Sequence, residues 1–108
     1  LDLINAMYLD LNLSKENLIL RVDGGMSASD WTMQNLSNIL QAPVDRPVFL
    51  ETTALGAAWL AGFKADVYPD IKNFSKQWDR DIRFNPKITK NESEDLYYGW
   101  QNLIQKFL

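Results

Sequence analysis

At 108 residues, with 46% hydrophobic and 23% charged side chains, the chain has the size and composition of one small globular domain. Its net charge of −3 argues against a nucleic-acid or anionic-membrane partner. It has neither cysteine nor histidine, which excludes disulfides, thiolate or imidazole metal sites, and Ser-His or Cys-His nucleophiles.

The first predicted element is a helix over Leu1–Leu11, where Leu1, Ile4, Met7, Tyr8 and Leu11 recur at helical spacing. The pattern is already under way at the first residue with no cap before it. The expectation is therefore a piece of a longer protein, with part of any site elsewhere. No apolar run approaches the roughly 20 residues of a membrane span, and no signal-peptide layout appears. A polar connection over residues 12–17 leads into Leu18–Val22, LILRV, which has the length and branching of a buried strand. Asp23, Gly24 and Gly25 follow, and a second helix starts at the SASD stretch. Ser27 is expected to accept from the residue-30 N–H while Asp30 reaches back, as in a capping box. Thr32, Met33, Leu36, Ile39 and Leu40 make a core-facing stripe that ends near Gln41, with Trp31 off it.

Strand, two-glycine turn and capped helix together form a unit able to cradle a ligand. Backbone without Cβ atoms at Gly24 and Gly25 admits a flat or charged group to contact distance. The helix behind them offers free N–H groups and a partial positive end to a phosphate or ribose oxygen. The same turn also serves as a tight strand-to-helix connection that binds nothing, and short glycine motifs arise by chance. Asp23 has two readings as well: a metal ligand, or a residue that orients the turn through backbone hydrogen bonds.

Further along, APVDRP has room only for a short strand at Val44–Arg46, since neither Pro43 nor Pro47 can donate to a ladder. Asp45 and Arg46 are read there as a solvated or locally paired turn. A third helix is predicted over Thr53–Ala65, capped by Thr52 or Thr53. It is rich in small residues (Ala54, Gly56, Ala57, Ala58, Ala61, Gly62), with Trp59, Leu60 and Phe63 supplying bulk. A mid-helix glycine costs about 1 kcal/mol relative to alanine, so another backbone is expected to pack against Gly56. Tyr68-Pro69-Asp70 reads as a turn, Ile71–Trp78 as a short helix, and Asp81–Asn85 as an extended piece stopped by Pro86. A final helix starts near Asn91, with Glu92, Glu94 and Asp95 at its positive end. Its stripe of Leu96, Trp100, Leu103, Ile104 and Phe107 is expected to be core. The α-β-turn-α order predicts an α/β fold, a parallel or mixed sheet flanked by helices.

VDGGMSASDWTMQ, VDRP, ETTALGAAWLAG, RFNP and YYGWQNLIQKFL, in this order and spacing, resemble the C-terminal part of the FGGY carbohydrate kinases. The resemblance covers nearly the whole chain. VDRP, RFNP and the YYGW start of the last helix are most similar to the glycerol kinase branch; xylulokinases and ribulokinases share the two main blocks in looser form. The resemblance implies that residues 1–108 are part of the second ribonuclease-H-like, actin/hexokinase ATPase-type domain. That domain supplies most of the nucleotide pocket, while the polyol-binding and catalytic domain is not in this chain. It implies ATP as phosphoryl donor, Mg²⁺ held by residues elsewhere, glycerol as acceptor through the other domain, a cytoplasmic setting, and a parent that can be homo-oligomeric. Gly24, Gly25 and Ser29 are the implied nucleotide-binding residues, and no residue here is implied to be catalytic. Ser29 departs from the asparagine usual at its position: it keeps a hydroxyl but loses the amide's second donor and reach. Two alternatives stand beside this reading, a non-catalytic nucleotide-binding module and a structural or oligomer-forming segment.

Overall fold

The computed structural model describes residues 1–11 and 18–107, and the polar connection expected over residues 12–17 lies outside them. Helix α1 (Asp2–Asp10) leads to strand β1 (Leu20–Arg21), a 3-10 turn (Gly25–Ala28) and helix α2 (Asp30–Leu40). Strand β2 (Val44–Pro47), helix α3 (Thr52–Lys64) and the short α4 (Ile71–Phe74) follow, then β3 (Arg80–Phe84) and α5 (Lys90–Ile104). The three strands form one mixed sheet with β2 in the middle, parallel to β1 and antiparallel to β3. A parallel neighbour requires a crossover, and the turn and α2 provide it. The α/β expectation is met.

β1 is shorter than the expected Leu18–Val22. Its partner β2 offers only four residues, so pairing is confined to Leu20↔Val44 and Arg21↔Asp45, with flanking bonds from Leu20 N to Pro43 O (2.9 Å) and Val22 N to Asp45 O (3.1 Å). On one face of the sheet Met33 of α2 meets Val44 and Phe84, and Leu20, Val22 and Leu36 pack around them. Ser37, which the apolar stripe left out, is fully buried and points its hydroxyl at the carbonyls of Ala42 (2.9 Å) and Phe84 (3.0 Å). It stitches α2 to the sheet. Ser93 of α5 does the same to α2, donating to Ile39 O at 3.0 Å.

The strand VDRP is buried along its whole length, which corrects the reading of Asp45 and Arg46 as a solvated or locally paired turn: they lie in a strand and their partners are far away in sequence. A middle strand has both edges occupied, so even charged residues on it are covered. They are matched: Asp45 takes both prongs of the Arg83 guanidinium at 2.6 and 2.7 Å, with Arg80 at 3.8 Å. The Arg83 hydrogen bonds outweigh burial and hold the Asp45 carboxyl below its ordinary range.

Four further expectations change. The cap of α3 is neither Thr52 nor Thr53: Glu51 stands at the N-cap without a side-chain bond. Gly56 has open space around it, since a Cβ there would meet no atom within 4 Å. The tight glycine is Gly62, where a Cβ would lie 2.3 Å from the Tyr68 ring. That ring tilts against Phe74, which meets Trp59 stacked on Phe63, so the small residue at 62 makes room for an aromatic cluster rather than a backbone. On α5, Thr89 and Glu92 form the capping box and begin the helix one residue early. Its stripe is not core in this chain, because Leu96, Trp100, Leu103 and Phe107 are exposed.

Candidate functional site

The turn after β1 is built around Gly24, whose φ of 81° and ψ of 169° suit glycine almost alone. Its N–H donates to Leu50 O at 2.7 Å, while the Asp23 carboxylate accepts from the Thr52 hydroxyl. The turn is thereby moored to the start of α3. Asp23 orients it through that side chain, not through backbone hydrogen bonds within the turn. A Cβ at either Gly24 or Gly25 would meet nothing within 4 Å, so the outer face of the turn is open.

Ser27 is not the cap of α2. It is buried inside the 3-10 turn, where its hydroxyl (2.6 Å) and its N–H (3.0 Å) both donate to Gly24 O. The cap is Ser29, two residues on, whose hydroxyl oxygen accepts from Thr32 N at 3.3 Å and from the Thr32 hydroxyl at 3.0 Å. Both lone pairs being engaged, what Ser29 can offer a ligand is its own proton. The 3-10 turn shifts the helix start; a tetrapeptide of this kind gives no periodic signal in the sequence.

Beneath the turn lies Arg46, reaching up from the middle strand. One Nη donates to Ser27 O (3.2 Å), to Ala28 O (3.3 Å) and to the Asp30 carboxylate (2.7 Å), while Nε donates to Asp81 at 3.0 Å. The Asp30 hydrogen bond, foremost, raises the Arg46 pKa against the opposing effect of burial, so the group is a permanent cation. The sequence reading missed it. Its available signal was an arginine placed between two prolines in a strand too short to end a sheet.

The electrostatics of this corner are mixed. Two carboxylates, Asp30 and Asp81, share one guanidinium. The N-terminal end of α2 lies at the same point and carries the opposite sign. A divalent metal is not provided for: among the described residues no group of three or more His, Cys, Asp or Glu is placed to hold one. The described residues therefore do not fit a Mg²⁺ site. Gly24, Gly25 and Ser29 thus come together on a single turn with an open outer face. A cleft of about 550 Å³ runs along α2 from Asp30 and Trp31 to Lys87, adjoining the turn at Asp30 and not at the glycines. Among the described residues no helix is long and apolar enough to cross a membrane.

Three comparisons bear on this geometry. The model of the FGGY family of carbohydrate kinases, C-terminal domain, matches residues 9–65. The curated glycerol kinase of Brucella ovis is 54% identical over 107 residues, covering 99% of this chain and 22% of that protein. That of Sinorhizobium fredii is 52% identical with the same coverage, so the chain spans 22% of the length of these curated relatives. Among solved structures, Plasmodium falciparum glycerol kinase with ADP superposes with a TM-score of 0.77 over 98% of this chain and 21% of that one, at 24% identity. At that identity the likeness speaks to fold, and it supports the ribonuclease-H-like α/β type expected from the sequence.

Proposed function

The chain belongs to the FGGY family of carbohydrate kinases, and on that footing we propose that it is the nucleotide-binding part of a longer ATP-dependent glycerol kinase. The whole enzyme would move the γ-phosphoryl group of ATP to glycerol, giving glycerol 3-phosphate. The observation that carries this reading is the open turn at Gly24 and Gly25 in front of a helix capped by Ser29. Identity above half to curated glycerol kinases along 99% of the chain supports glycerol over a pentulose as the acceptor.

In this reading the backbone at Gly24 and Gly25 lies against adenosine, and Ser29 donates its hydroxyl proton to an acceptor on the nucleoside. The phosphates would extend toward the rest of the enzyme, which would also hold Mg²⁺ and glycerol. Residues 1–108 would form the C-terminal part of the nucleotide-binding domain in a cytoplasmic enzyme, where ATP is at hand. The apolar faces left exposed on α3 and α5 would be covered by the remainder of the protein. By itself the chain is expected to release no ADP in a coupled assay with glycerol, Mg²⁺ and ATP.

The test is Gly25→Val in the full-length kinase. A side chain projecting into the open face should raise the ATP KM by about tenfold, the equivalent of 1.4 kcal/mol, and leave the glycerol KM unchanged. A folded variant with unaltered ATP kinetics would overturn the assignment.

A further inference from the structure

Resting on the nucleotide reading above, we propose that Arg46 is a positioning residue that sets the backbone of the Gly24–Ser29 turn for the nucleotide. Three of its contacts converge on that segment or its immediate neighbour: the carbonyls of Ser27 and Ala28 and the carboxylate of Asp30. The fourth, Asp81, stands on β3, the antiparallel neighbour of the middle strand, so the guanidinium bridges a rigid sheet and a glycine-rich turn. Glycine at 24 and 25 leaves the turn with many accessible backbone states. A cation fixed from below by three acceptors removes most of them before ligand arrives, which lowers the ordering cost of binding. Arg46 does not reach the open face itself. It acts through Ser27 and Ala28 on Gly25, and through Asp30 on the adjoining cap Ser29.

A lysine cannot replace this group, since it keeps the charge but loses the planar fork that spans both carbonyls and two carboxylates. The experiment compares Arg46→Lys and Asp30→Ala with the unmodified full-length kinase. Arg46→Lys should raise the ATP KM by about tenfold, as expected for loss of one charge-assisted hydrogen bond's worth of ordering, with kcat and the glycerol KM held within about twofold. Asp30→Ala, whose carboxylate is largely exposed, should raise the ATP KM by about threefold, with Tm followed to report the loss of its pair with Arg46. It carries the test alone if the lysine variant does not fold. A role confined to holding the fold together would depress kcat, raise both KM values and lower Tm in concert; that pattern overturns the proposal. So does an unchanged ATP KM in both folded variants. Gly25→Val separates the two ideas. If that variant loses ATP affinity while the Arg46 and Asp30 variants do not, only the positioning role falls; if Gly25→Val has no effect, the nucleotide reading itself falls.

Discussion

The middle strand β2 buries Asp45 and Arg46 to 3% and 8% exposure, whereas α3, apolar along most of its thirteen residues, buries none of them. Polarity alone would reverse that order. The strand is buried because topology puts it between two others and beneath α2. Its charges are tolerable because each is matched at hydrogen-bond distance: Asp45 by Arg83, Arg46 by Asp30, Asp81 and two carbonyls. The helix is exposed because its neighbours among the described residues cover Leu55, Leu60 and Phe63 only in part. A helix that is hydrophobic on most sides is the kind that larger proteins enclose. The contrast teaches that burial in this chain follows the position of an element in the sheet and the reach of its neighbours, and only then the hydrophobicity of its residues.

Removing the charge of the buried strand should break the comparison most sharply. Asp45→Asn keeps the shape of the side chain but leaves Arg83 and Arg80 facing a neutral amide. Breaking a fully buried pair costs about 3–5 kcal/mol; Arg83 is 33% exposed, so about 2 kcal/mol is expected in urea unfolding at neutral pH. The sign with pH follows from the depressed carboxyl. A folded pKa below the unfolded one gives stability that is present above the unfolded value, near 3.9, and disappears as pH falls through the folded value. The gap between parent and variant should therefore hold steady down to about pH 5 and close below about pH 4. A gap that does not narrow at all as pH falls below about 4 would mean that Asp45 contributes by packing and not by charge.

How much of this was readable in the chain differs by element for physical reasons. α2 and α5 were legible because their apolar residues recur at helical spacing, and β3 because Pro86 stops it. The DGG turn was legible as a unit, and Gly24, Gly25 and Ser29 do stand together on it. Its inner construction was not. That Ser27 turns inward and Ser29 caps depends on a 3-10 turn, and a single such turn leaves no periodicity. Arg46 escaped because its partners Asp30 and Asp81 are 16 and 35 residues away, and pairing over that span is a property of the sheet. Burial of β2 escaped for the same reason. The exposed stripe on α5 was misjudged in the opposite sense: an amphipathic pattern reports that a face wants covering, not that this chain covers it.

Two glycines on α3 offer the finest test of the contrast, since they lie on one helix in opposite circumstances. At Gly62 an added methyl would sit 2.3 Å from Tyr68, whose ring is held against Phe74, so Gly62→Ala should destabilise the aromatic cluster by about 1–2 kcal/mol. A matching drop in Trp59 fluorescence change on unfolding would accompany it, as Trp59 belongs to the same cluster. At Gly56 the methyl meets nothing, and replacing a mid-helix glycine by alanine is worth up to about 1 kcal/mol in favour of the helix. Gly56→Ala should thus raise the Tm of the 108-residue chain slightly. In the proposed longer protein the gain should vanish or reverse if another part of it packs closely on this face, which would account for a costly glycine in an otherwise alanine-rich helix. Equal stabilisation in both settings would show that α3 stays open at Gly56 even in the longer protein, and that its apolar character serves something other than close packing there.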